Sequence, residues 1–105
     1  MDSLFRSFPR TCMEGNFFVY ILRCTTKSGK VSLYTGSTNN LFRRFREHSS
    51  GRGARYTRGK ELELVYFEVC RSRSEAFKRE YEIKKYPTRK KWSLVRLFKG
   101  GLNFH

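Results

Sequence analysis

Three groups of side chains have the types and spacings that phosphoryl chemistry uses. The first is a carboxylate, Glu80, with Ala76, Phe77 and Ile83 at i−4, i−3 and i+3. On a helix these three form an apolar stripe with Tyr81 at its margin, and Glu80 falls inside it. A carboxylate is almost never fully buried without a partner. Glu80 is therefore a metal ligand or catalytic carboxylate facing a cleft, or else it pairs with one of the many arginines or bends out to water. Glu82 lies off the stripe and belongs to solvent. The second group is Arg44 and His48, four apart on a helix whose Leu41 and Phe45 face the core. A guanidinium fork grips two phosphate oxygens, and an imidazole titrates near neutrality. The alternative is an Arg-rich helix that only binds phosphate backbone, as expected of Arg43 and Arg46, with a histidine that caps its end. The third group is Tyr20 and Tyr34, in neighbouring strands whose side chains can meet across the ladder. Facing tyrosines are usually packing, and a phenol acts as a base only with help from a cation or a second base.

The elements that must position these groups are legible from periodicity. Phe17–Leu22 is a continuous β-prone apolar run, as expected of a strand covered on both faces. Ser28-Gly29 marks a turn, and Val31–Thr35 returns as the second strand of a hairpin. Thr38-Asn39-Asn40 offers capping side chains for a short helix over 41–48. A basic loop with Gly51, Gly53 and Gly59 precedes a third strand over 61–69. Ser72-Arg73-Ser74-Glu75 matches a capping box, which predicts a helix over 74–86 that Pro87 ends. Thr88 caps a last helix carrying Trp92, Val95 and Phe98 on one side, stopped by Gly100-Gly101. This order predicts class α+β, a three-stranded, mostly antiparallel sheet flanked by helices. Residues 1–15, without periodicity, read as a loosely ordered extension in which Phe5 and Phe8 could dock as one turn, and 16–105 as one domain.

Charge points to the partner. Lys and Arg number 23 against 9 Asp and Glu, a net charge of +14 over 105 residues. Such an excess opposes a compact monomer unless a polyanion neutralises it, and nucleic acid fits best because bound phosphates release counterions. The loop over 50–60 concentrates Arg52, Arg55, Arg58 and Lys60 around Tyr56 without an acid. That pattern suits backbone contact with stacking on an exposed base, or equally a solvated loop with Tyr56 tucked in. No apolar run approaches the roughly 20 residues of a membrane span. Cys12, Cys24 and Cys70 form no CxxC pair and read as free thiols of an intracellular protein, with Cys24 and Cys70 packing at strand ends.

Taken in order, Val19-Tyr20-Ile21, Tyr34-Thr35-Gly36, Arg44 and His48, and Glu80 resemble the GIY-YIG nuclease superfamily, above all its small single-domain bacterial and viral members. The shared stretches are VYILRC, LYTGST, RRFREH, GRGARYTRG and SRSEAFKREYEIKKY, spanning about Phe17 to about Leu97. Each is short. Their order and spacing, including Arg44 eight residues after Gly36, make the resemblance specific. It implies that Tyr20 is the general base activating water, that Tyr34 lines the site, and that Arg44 holds the scissile phosphate. It also implies that His48 takes the proton from Tyr20 and that Glu80 holds one Mg²⁺, for which Mn²⁺ could substitute. Arg43, Arg46, Lys84 and the cations of the basic loop would contact the DNA backbone. The sequence departs from the family pattern at Phe18, which stands at the glycine of the first motif. It departs again at Trp92-Ser93-Leu94-Val95, where many members carry an Asn.

The function expected is a metal-dependent endonuclease with weak sequence specificity, since no separate reader motif is present, selecting branched, flap or single-stranded DNA. RNA is left open as a substrate, as are the oligomeric state and a protein partner that supplies targeting. The competing functions are a non-catalytic nucleic-acid-binding module on the same fold, or an adaptor docking an acidic protein. Glu80 separates them, because a pure binder of polyanions gains nothing from a carboxylate in its cleft.

Overall fold

A computed structural model describes residues 16–98, so the expected extension over 1–15, Cys12 and the glycines at 100–101 lie outside the described residues. The first apolar run becomes β1, Phe17–Thr25, and it is unbroken because it is the middle strand. β2 (Val31–Thr38) and β3 (Glu61–Cys70) flank it, both antiparallel. The hairpin between β1 and β2 closes at Gly29, whose φ of 91° is the left-handed conformation that favours glycine.

Each face of β1 then finds a helix. Phe18, Tyr20, Leu22 and Cys24 join Leu64 and Phe67 under α1 (Leu41–Ser49), which contributes Leu41 and Phe45. Val19 and Ile21 join Tyr66 and Cys70 on the opposite face, covered by Ala76 and Ile83 of α2 (Arg73–Lys84). Fully buried Phe18, Ile21 and Leu22 contribute about 1.5–3 kcal/mol each. α3 (Thr88–Phe98) packs along β3, with the Phe98 ring 5.1 Å from Tyr66 and 5.2 Å from Phe67. Among the described residues, no helix is long and apolar enough to cross a membrane.

Two details set the position of α2. The β1–β3 register slips between Ile21 and Leu22, so Val65 is an extra residue. Val65 and Tyr66, adjacent in sequence, therefore serve the same core, and Glu68 faces α2. There Arg79 donates to both Glu68 oxygens, Nε to Oε1 at 2.8 Å and Nη2 to Oε2 at 2.9 Å, and from Nη1 to Glu82 and to the Tyr86 hydroxyl at 3.0 Å. A bidentate fork of this kind fixes orientation as well as distance. Ser72 caps α2 as expected, accepting from the Glu75 N–H at 3.1 Å, while Glu75 reaches back to the Arg71 N–H at 3.0 Å. The helix ends at Lys84 rather than Tyr86, which leaves Tyr86 to meet Arg79.

The apolar stripe expected on α2 is corrected. Ala76 and Ile83 are buried, but Phe77 is 56% and Tyr81 63% exposed. At about 100° per residue, Ala76, Glu80 and Ile83 share one face, whereas Phe77 and Tyr81 are turned roughly a right angle or more away. The side chains that cover the sheet are the small Ala76 and the Ile83, with Glu80 between them.

Candidate active site

Tyr20 projects from the middle of β1 toward α1, opposite Gly36 of β2. A methyl group at position 36 would sit 2.4 Å from the Tyr20 hydroxyl oxygen and 2.7 Å from Cζ, so the ring lies flush on β2 only because position 36 has no side chain. The hydroxyl meets His48 Nε2 at 2.9 Å. His48 is 2% exposed, near the end of α1, because the following loop folds back over it. That loop passes so close that a Cβ on Gly53 would stand 2.3 Å from His48 Nδ1. A 3₁₀ turn, Arg55–Thr57, then brings buried Thr57 to Nδ1 at 2.8 Å. Thr57 donates to the Ala54 carbonyl at 2.9 Å. Its oxygen, at 2.8 Å from Nδ1, lies far closer than the Ala54 N–H at 3.4 Å, so the shorter contact decides the tautomer and Nδ1–H donates to Thr57. The Nε2 lone pair is thereby left to accept from Tyr20. His48 is not merely a helix cap.

Electrostatics keep this pair neutral. Burial, and then the Arg44 charge, push the His48 pKa down to about 4, against a smaller upward pull from Glu47. Burial raises the Tyr20 phenol well above its ordinary range, although the Arg44 guanidinium beside it pulls the other way. Direct acidification of Tyr20 by cations is therefore outweighed by desolvation. The two groups remain joined by the 2.9 Å hydrogen bond. The Tyr34 ring lies 5.4 Å from the imidazole, edge to face, and stacks on Tyr56 at 6.0 Å.

Arg44 lines an open cleft of ≈ 380 Å³ at the end of β2, with Ser37, Arg43 and Arg73, and Glu47 as its acid. Arg44 donates to Glu47 at 2.9 Å, and this bond holds the Glu47 carboxyl below its ordinary range. Glu80 approaches from the other face of the sheet. Ser37 Oγ donates to its Oε1 at 2.6 Å, and Lys84 Nζ lies 2.7 Å from Oε2. Tyr20, Tyr34, Arg44 and His48 thus stand on the α1 side and Glu80 on the α2 side, joined through Ser37 where edge strand β2 ends. A lone carboxylate beside a hydroxyl fits Mg²⁺, which retains most of its waters and takes one or two carboxylates plus substrate phosphate. Among the described residues no three His, Cys, Asp or Glu converge on a metal-sized site, and Glu80 could supply one carboxylate of such a set. Lys84, read from sequence as a DNA contact, is half exposed and paired with that carboxylate.

The remaining cations are dispersed. Arg43 donates to Asn39 at 3.0 Å, and Arg46 lies over the Phe42 ring. Arg52 donates to Ser50 at 3.0 Å, whereas Arg55 and Arg58 are exposed. Lys60 sits 3.4 Å over Tyr56, which stacks on Tyr34, bonds Ser32 through its hydroxyl and stays 45% exposed. Sequence patterns did not single out Ser37, Gly53 or Thr57. Ser37 lies past the expected strand over 31–35, Gly53 and Thr57 lie in the basic loop, and each acts through a partner at least nine positions away or through the empty space it leaves.

Residues 16–92 match the GIY-YIG catalytic domain. A UPF0213 protein of Desulfotalea psychrophila is 48% identical over 89 residues, which is 83% of this chain and 77% of that protein. A UPF0213 protein of Haloquadratum walsbyi is 47% identical over 84 residues, covering 79% and 90%. A solution NMR structure of a UPF0213 protein from Bacillus halodurans shares 46% identity over 82% of this chain and 87% of that one, with a TM-score of 0.47.

Proposed function

The chain belongs to the GIY-YIG catalytic domain family of nucleases, and on that premise we propose that it is a divalent-metal-dependent DNA endonuclease. The observation that carries the proposal is the Tyr20–His48–Thr57 hydrogen-bonded chain beside Arg44. Tyr20 takes a proton from the attacking water while its own phenolic proton passes to His48 Nε2. Thr57 holds the imidazole in the tautomer that can receive it. An imidazole with a pKa of about 4 resists this by roughly 4 kcal/mol at neutral pH. The proton is therefore held only transiently, as negative charge gathers on the phosphate. Arg44 binds that phosphate and offsets the gathering charge, and Tyr34 walls the site. Water adds to phosphorus in line with the departing sugar oxygen, which breaks the P–O bond. Glu80, with Ser37 beside it, would hold Mg²⁺ or Mn²⁺, which when bound supplies charge neutralisation at the phosphate and the leaving oxygen.

Among the described residues no element stands apart from the sheet and its helices to read sequence, so selection is assigned to DNA shape, ends or flaps. Buried free Cys24 and Cys70 suit a reducing, intracellular setting. The Lys84–Glu80 pair favours one competitor, a non-catalytic binder whose carboxylate is already neutralised. Incubation with Mg²⁺ or Mn²⁺ and a panel of duplex, single-stranded and flapped DNA separates the two. Cleavage by the natural chain, absent from Glu80→Gln and reduced about 10²–10⁴-fold in Tyr20→Phe, is the expected result. Undiminished cutting in excess chelator would rule the mechanism out.

A further inference from the structure

We infer that Phe77 and Tyr81 form a stacking platform for unpaired nucleobases beside the phosphate that is cut, which makes α2 the element that selects single-stranded or flapped substrate. The inference rests on the nuclease proposal and names its substrate class. Both rings are more than half exposed, although apolar rings on a helix that covers a sheet ordinarily face that sheet. A single exposed ring would be unremarkable on any protein surface. Here there are two, four residues apart on one side of α2, so they are neighbours about one helical turn apart. Glu80 lies one residue from Tyr81 and three from Phe77, on the adjoining face.

The surroundings specify the occupant. Phe77 lines the cleft that also exposes Arg43, Arg44 and Arg73, with Glu47 as the acid among them. Arg73 in turn lies over Phe17, another ring of the same wall, at 5.5 Å. Lys85 sits 4.5 Å from the centre of the Tyr81 ring. Phe77 at the wall of a cationic cleft, with Tyr81 one helical turn beyond it, matches a polyanion that carries flat apolar faces, which is a single strand of nucleic acid. Duplex DNA would keep its bases stacked on each other and leave both rings unused. An apolar peptide would leave the arginines unmatched.

The test uses the full chain in chelator, so that binding is read without cutting, and DNA carrying 2-aminopurine in a single-stranded flap or in a duplex. Stacking should quench the flap fluorophore on binding, and Phe77→Ala/Tyr81→Ala should abolish that quench. The same pair should weaken flap and single-strand binding about tenfold or more, and duplex binding less than twofold. Phe77→Trp should retain the quench, whereas Phe77→Leu, equally apolar but not flat, should lose it. Equal weakening of duplex and flap, an unchanged quench, or no nucleic-acid binding by the natural chain would each overturn the platform. A fall in melting temperature of many degrees would do so too, by showing that the rings pack within the chain. The nuclease proposal fails separately. A natural chain that quenches but never cuts with Mg²⁺ or Mn²⁺ keeps the platform and loses the enzyme, whereas one that cuts without a ring-dependent quench does the reverse.

Discussion

Gly36→Ala is the smallest change that should disable the site. Its φ is not positive, so alanine is compatible with the strand, and the lost backbone freedom of the unfolded chain would by itself stabilise by about 0.4–1 kcal/mol. Sterics oppose this. The new methyl would stand 2.4 Å from the Tyr20 oxygen, where ordinary contact begins at 3.4 Å, so the phenol must retreat by about 1 Å. Tyr20 is buried among Phe18, Leu22, Leu41 and Phe45 and has little room to do so. Overpacking of this kind costs about 1–3 kcal/mol, which exceeds the entropic gain. The balance of about 0–2.6 kcal/mol corresponds to a melting-temperature fall of up to about 20 °C for a domain of this size. The same displacement of about 1 Å disturbs the 2.9 Å bond to His48, and misplacement on that scale costs about 10²-fold in rate. Calorimetry and single-turnover cleavage read the two effects separately. In the Tyr20→Phe background the offending oxygen is gone and the nearest atom is Cζ at 2.7 Å, so Gly36→Ala should destabilise less there than in the natural chain. Additive losses, or a Gly36→Ala protein that melts and cuts normally, would refute the role assigned to Gly36.

Arg44→Ala should cost orders of magnitude in cleavage rate, while Arg43→Ala and Arg46→Ala should mainly weaken binding and lower its salt slope; equal rate losses for all three would reduce Arg44 to a backbone contact. His48, lowered from 6.5 to about 4 in the fold, binds fewer protons folded than unfolded, so its stability contribution is intact above about pH 6.5 and is lost as pH falls toward 4. That loss is on the order of 3 kcal/mol. Urea unfolding from pH 7 to 4 should show a slope that His48→Gln lacks, and identical slopes would mean that the imidazole titrates normally. Thr35 is 4% exposed, and its hydroxyl finds no partner among the described residues, so Thr35→Val should raise the melting temperature by several degrees; a clear fall would reveal a hydrogen bond to that hydroxyl.

The sequence by itself determined the elements and the cast. Strand β1 is legible because a strand covered on both faces is apolar along its covered length, here Phe17–Leu22, and α1 because Leu41 and Phe45 repeat at helical spacing. Glu80 is legible because a carboxylate between Ala76 and Ile83 is an expensive exception to that periodicity. Tertiary structure decided which groups meet and how their protons are shared. Periodicity reports which face of an element is covered, not by what. It placed Phe77 in the stripe and Tyr81 at its margin, and could not tell that both would be left outside it once Ala76 and Ile83 met the sheet. Nor could it foresee that Lys84 would turn to Glu80, that Tyr56 would stack on Tyr34, or that Thr57 would fix the His48 tautomer. The protonation states follow the same division. Phenol and imidazole are named by the sequence, but their shifted pKa values come from burial and from the Arg44 charge, both of which exist only when chain segments far apart in sequence exclude water together.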